Sequence, residues 1–283
     1  MLGKLIKHEF RATGRLMAPL FGALLLLAVF ARTTNQVMQQ VPTTRVLYVI
    51  SVLLAITYVL AGLGVMVFST VLMIKRFHQN FLTDEGYLMF TLPVSVHSLL
   101  WSKLITAALI FLFTFAAELL AFAIVIWQGG ASADVYNNFI SGLRELGSYY
   151  IGNGIAIALE TFAMLFVSLL VTCLLFYAPM SIGYSFANHK GLLSVVFYFV
   201  IQAVLQIFGV SMLAGVADDG SLLNRMLQNI YTGGRTVIVN GVPHVAVQFF
   251  HGTMLLSLLA ELVLGAILYF LTYFMLRRHR NLQ

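Results

Sequence analysis

Three carboxylic acids sit where a carboxylate is costly. Glu118, Glu160 and Glu261 lie deep inside long apolar runs that contain no cation. A charged carboxylate at the centre of a bilayer costs about 2.5–3.5 kcal/mol on insertion scales. Each must therefore be protonated, hydrated or hydrogen-bonded, and two placed close together would raise the pKa of one. Such groups could form a polar patch on a transport path, favouring cationic or amphipathic cargo, or relay protons. Equally, they could be neutral carboxyls bonded to helix backbones or to Thr114, Thr161 and Ser257, holding a bundle together. At about 1.5 Å per helical residue, Glu118 lies roughly 14 Å, Glu160 roughly 15 Å and Glu261 roughly 18 Å from the nearest end of its run. All three are expected near one level.

Little else in the chain reads as chemistry. There is no G-x-x-x-x-G-K-[ST] phosphate loop, no H-E-x-x-H and no G-x-S-x-G, so neither ATP hydrolysis nor a nucleophile–base set is expected. His8, His78, His97, His189 and His279 fall at the borders of apolar runs and read as interface residues. Cys173 is alone, inside an apolar run, and supports neither a disulfide nor a cysteine-based metal site. The chain reads as a protein without a cofactor or metal of its own, and not as an enzyme.

The elements that must position the acids follow from composition. Of 283 residues, 60% are hydrophobic and 9% charged, with a mean hydropathy of +0.94. A soluble domain carries about 25% charged residues, so this chain is read as an all-α membrane protein. Six runs approach or exceed the roughly 20 apolar residues that a bilayer core of about 30 Å requires. They are residues 16–31, 46–74, 104–127, 151–178, 192–214 and 249–276. The whole chain, 1–283, reads as one transmembrane domain, and no internal repeat is visible.

The net charge of +6 does not point to nucleic acid, because the cations cluster at the ends of the runs. One side holds Lys4, Lys7, Arg11, Arg15, Lys75, Arg76, Lys103, Lys190, Arg277, Arg278 and Arg280. The other holds Arg32, Arg45, Arg144, Arg225 and Arg235. The positive-inside bias then puts both termini in the cytoplasm. The amino-terminal segment does not read as a signal peptide, since its four cations are spread over fifteen residues and no small-residue cleavage site follows.

Two polar segments stand out beside the membrane. In "MLGKLIKHEFRATGR", residues 1–15, Lys4, Lys7, Arg11 and Arg15 fall on one arc of a helix, opposite Leu2, Leu5, Ile6 and Phe10. This predicts an amphipathic helix on the cytoplasmic surface. Glu9 lies in the apolar arc, and so is expected to meet a partner protein or one of the chain's own cations. The second segment, "KRFHQNFLTDEGYLMFTLPVSVHSLLWSK", joins runs two and three. Phe77, Phe81, Leu82, Tyr87 and Leu88 are too apolar for an idle loop. Asp84, Glu85 and Gly86 read as a turn, Pro93 closes the segment, and Ser95 is an expected N-cap for the helix that enters the membrane past Lys103. A short helix here would dock on another protein; the alternative is packing against its own bundle.

With Pro93, Ser95 and Lys103 just before an apolar run, "TLPVS…LLWSKL" resembles a signature of membrane subunits of type-two ATP-binding cassette (ABC) exporters. The fuller "LTDEGYLMFTLPVS" and "LIKHEFRATGR" look like the Gram-positive bacterial variety, although Ser102 stands where many relatives have glycine. The resemblance implies a permease in the bacterial plasma membrane, paired with a second permease copy or paralogue and driven by an ATPase subunit that binds ATP and Mg. It further implies that Glu9, Phe77, Phe81, Asp84, Glu85, Gly86 and Tyr87 dock that subunit through a cytoplasmic coupling helix. Competing readings are a proton-coupled secondary transporter using the buried glutamates, and a non-transporting sensor or assembly subunit.

Two further expectations concern the other face. Residues 215–248 predict a helix after Ser221 and an Asn-Gly turn in "VIVNGVPHV".

Overall fold

The computed structural model describes residues 2–40, 45–83, 94–126, 137–138, 141, 154–186, 189–217, 238–239, 242–243 and 245–280. Six long helices dominate: α1 (Leu2–Gln40), α2 (Arg45–Leu82), α3 (Val96–Ile126), α4 (Gly154–Gly183), α5 (Lys190–Ala217) and α6 (Val245–Arg280). The shortest, α5, has 28 residues, about 42 Å at 1.5 Å per residue. All six are long and apolar enough to cross a membrane. The chain is an all-α, multi-pass membrane protein.

The helices run past the borders expected from hydropathy. No break separates residues 2–15 from the first span: α1 is continuous, with Pro19 inside it. The change from an amphipathic to an apolar sequence alters which faces suit lipid, but it leaves the hydrogen-bond ladder intact. Similarly, Lys75–Leu82 form the last two turns of α2 rather than a separate helix.

By internal packing the chain divides into two compact units, Met1–Arg144 and Glu145–Gln283. In the first, α1 lies against both α2 and α3, which touch each other less. Met17, Leu24 and Ala28 of α1 meet Val65 and Leu72 of α2 and Ile110 and Ala121 of α3. Lipid is as apolar as leucine, so close packing and hydrogen bonds must hold such helices together, and small residues such as Ala28 and Ala121 allow it. In the second unit α4 lies against both α5 and α6. Gly265 of α6 meets Val171 of α4, where an added Cβ would lie 3.1 Å from Cγ2. Although the sequence shows no repeat, each unit thus places its first helix between the other two.

Hydroxyls inside these helices are satisfied locally. Ser69, Thr114, Ser181 and Thr272 each donate to the carbonyl four residues back, at 2.7–2.9 Å. A polar group with no access to water needs such a partner. Before α6, Ile238–Val239 and Val242–Pro243 pair antiparallel, Val239 opposite Val242. The expected Asn-Gly turn, residues 240–241, lies outside the described residues. The helix expected after Ser221 lies outside the described residues.

Candidate functional site

At the basic end of the first unit, one carboxylate joins three helices. Glu9 of α1 is ion-paired with Lys103 of α3 through Oε1. Asn80 of α2 donates to the same oxygen at 3.4 Å. The Lys103 side chain is 3% exposed and that of Glu9 17%. Arg76 adds a second positive charge within electrostatic reach of Lys103. The carboxylate in the apolar arc therefore meets one of the chain's own cations, the second of the two partners its position allowed. Lys103, expected as a marker of span entry, is the buried half of this clasp.

The clasp lies at the root of the segment joining α2 and α3. Phe77 and Phe81, one turn apart with ring centroids at 5.1 Å, are 0% and 1% exposed. They are packed inside the unit, so neither ring offers a partner a surface. Of the expected docking residues, Asp84, Glu85, Gly86 and Tyr87 lie outside the described residues, as does Pro93. Beyond them Ser95 caps α3: its Oγ accepts from Ser98 N at 3.3 Å, and its carbonyl accepts from Leu99 N at 3.2 Å. Ser98 holds the place a glutamate takes in a capping box, and its hydroxyl is 2.9 Å from that of Ser95.

Deeper in the unit, Ser69 of α2 and Thr114 of α3 form a buried hydroxyl pair at 3.0 Å. One turn beyond Thr114, the Glu118 carboxyl lies against Gly62 of α2. A Cβ at Gly62 would sit 2.9 Å from Glu118 Oε2, so glycine makes the room. Glu118 Oε1 is buried with no hydrogen-bond partner among the described residues. Thr114 does not bond this acid; it bonds Ser69.

In the second unit, the Ser168 hydroxyl of α4 lies 2.7 Å from each carboxyl oxygen of Glu261. Ser168 thus replaces Ser257 as the hydroxyl expected beside this acid. The same register separates Glu261 from Glu160. Ser168 is eight residues beyond Glu160, about 12 Å along α4. The expectation of one common level fails for this pair, because α4 begins at Gly154 and α6 already at Val245, offsetting both depth counts. Glu160 has an interaction of its own and is not brought to Glu261. Ser168→Ala is expected to lower stability by about 0.6 kcal/mol, the average for hydrogen bonds between membrane helices, and by no more than about 1.7 kcal/mol. Glu261→Gln should cost less, since its amide oxygen still accepts. Thermal unfolding in detergent checks the order of the two.

Asn80, Ser69 and Ser168 were not singled out by the sequence. Their only signal is a polar side chain in an apolar helix, which does not name its partner. Compared with models of known families, with curated proteins and with solved structures, the chain matches none.

Proposed function

We propose that this chain is the membrane permease subunit of a bacterial ABC exporter, coupled to a separate ATPase subunit and paired with a second permease copy or paralogue. The observation that carries the reading is the Glu9–Lys103–Asn80 clasp. It ties α1 to both helices that flank residues 83–95. A force applied to that segment would reach all three helices of the unit, as a passenger moved by a cytoplasmic motor requires. The motif resemblance of "LTDEGYLMFTLPVS" lies in the same segment. Residues around Asp84–Tyr87 would take the motor's contact, while Phe77 and Phe81 would hold the segment to the bundle from inside. The apolar windows of α5 and α6 are only 6% buried, which leaves surface for lipid or a second permease.

The test is co-purification from native membranes. A nucleotide-binding subunit should accompany the wild type, and Asp84→Lys with Glu85→Lys should lose it at unchanged expression. Retention by the double variant would count against this docking segment.

A second reading, a proton-coupled transporter, is favoured by the buried Glu118 oxygen, which has no hydrogen-bond partner among the described residues. It requires pH-driven transport in vesicles containing this chain alone, abolished by Glu118→Gln.

A further inference from the structure

The first unit carries an open groove of about 700 Å³ between α1 and α3. Its walls change character along its length. Lys7 and Arg11 stand at one end; Met17 and Phe21 of α1 and Ile110 of α3 line the rest. Phe10 and Phe113, with ring centroids at 5.7 Å, form its side wall. Gly14 lies in the wall one turn beyond Phe10, and a Cβ there would meet nothing within 4 Å. A glycine inside a helix costs about 0.5–1 kcal/mol relative to alanine; here its missing side chain leaves the groove open midway.

From this geometry we infer that the groove binds one anionic phospholipid of the leaflet that the basic end of α1 faces, the phosphate on Lys7 and Arg11 and an acyl chain along α1. Charge complementarity selects this occupant. Both cations are exposed, and among the described residues neither is ion-paired; the neighbouring carboxylate of Glu9 is taken by Lys103. Length agrees as well. From Arg11 to Phe21 is ten residues, about 15 Å of helix, or half of a hydrocarbon core about 30 Å thick. Basic pockets between membrane helices recognise acidic headgroups in this way, a cation pair for the phosphate above an apolar slot. The inference does not rest on coupling to an ATPase. It needs only α1 in a membrane.

The test uses the full chain in a neutral detergent, titrated with dioleoyl phosphatidylglycerol or dioleoyl phosphatidylcholine. Native mass spectrometry counts the lipid retained. The wild type should keep one phosphatidylglycerol with at least a ten-fold preference over phosphatidylcholine. Lys7→Gln with Arg11→Gln should abolish the preference. Gly14→Phe should fill the groove and remove retention of that lipid. Lys4→Gln with Arg15→Gln removes the same charge outside the groove and should change nothing. Should Gly14→Phe not elute as the wild type does, Ala18→Phe, at another position in the groove wall, takes its place. Three results overturn the proposal. One is equal retention of both lipids, or of neither, by the wild type, as expected if the groove takes a neutral chain or a partner's apolar helix. Another is undiminished phosphatidylglycerol in the groove-filling variant. The third is loss of preference in the Lys4/Arg15 control.

Discussion

Glu9→Leu is expected to destabilise the first unit by about 3–5 kcal/mol, because it leaves the Lys103 ammonium buried without its counter-charge. The asymmetry of the pair makes this the more damaging half to remove. With a side chain 3% exposed, Lys103 has little access to water, and Arg76 repels it further. Glu9, at 17%, retains some access and keeps Asn80 as a donor. Lys103→Met should therefore cost less than Glu9→Leu. The double variant Glu9→Leu with Lys103→Met should recover most of the loss, since an apolar pair of similar volume often replaces a buried ion pair without penalty. Thermal unfolding of the four proteins in detergent forms the cycle. Equal unfolding temperatures for Glu9→Leu and the double variant would show that Lys103 is not stranded, and that the pair does not clasp the helices.

Gly183→Ala should have the second largest effect. A Cβ at this position would lie 2.6 Å from Ser194 Cα and closer still to its N and Oγ. A hydroxyl can turn away; a backbone nitrogen and α-carbon cannot. α4 and α5 would have to separate where the end of α4 meets the first turns of α5. Two stacked ring pairs hold the same interface, Phe176 on Tyr198 at 5.2 Å and Phe186 on Phe197 at 5.8 Å. The expected cost is about 3 kcal/mol, the upper end of the usual range for overpacking. Ser194→Gly should not rescue it, because the backbone atoms remain. Gly209→Ala, in α5 with nothing within 4 Å of the new Cβ, should instead be neutral or gain about 0.5–1 kcal/mol. A melt of Gly183→Ala indistinguishable from that of Gly209→Ala would overturn the close approach.

Hydropathy was enough to find the six helices, since each holds a run that only lipid or a buried core accommodates. It could not find their ends. Lys75 and Arg76 carry charge and residues 95–102 include three serines and a histidine, yet helices extending beyond the apolar layer keep their backbone hydrogen bonds whatever the side chains are. Phe77 and Phe81 are one turn apart, a spacing that suits a buried helical face as well as a docking surface, and in the structure both rings are buried. Glu9 was readable as an acid in need of a partner. Lys103 was not readable as that partner, because its position depends on the register of α3 against α1. Depth counted from the ends of the apolar runs likewise put Glu160 at the level of Glu261, whereas the contact of Ser168 with Glu261 sets them about 12 Å apart along α4.

The clasp also has a consequence in time. Glu9 and Lys103 are 94 residues apart in the chain, and ribosomes add about 5–20 residues per second. For roughly 5–20 s after Glu9 leaves the ribosome, its counter-ion has yet to follow it out. During that interval the nascent helix carries an unmatched carboxylate at the membrane border, and only the arrival of the third helix neutralises it.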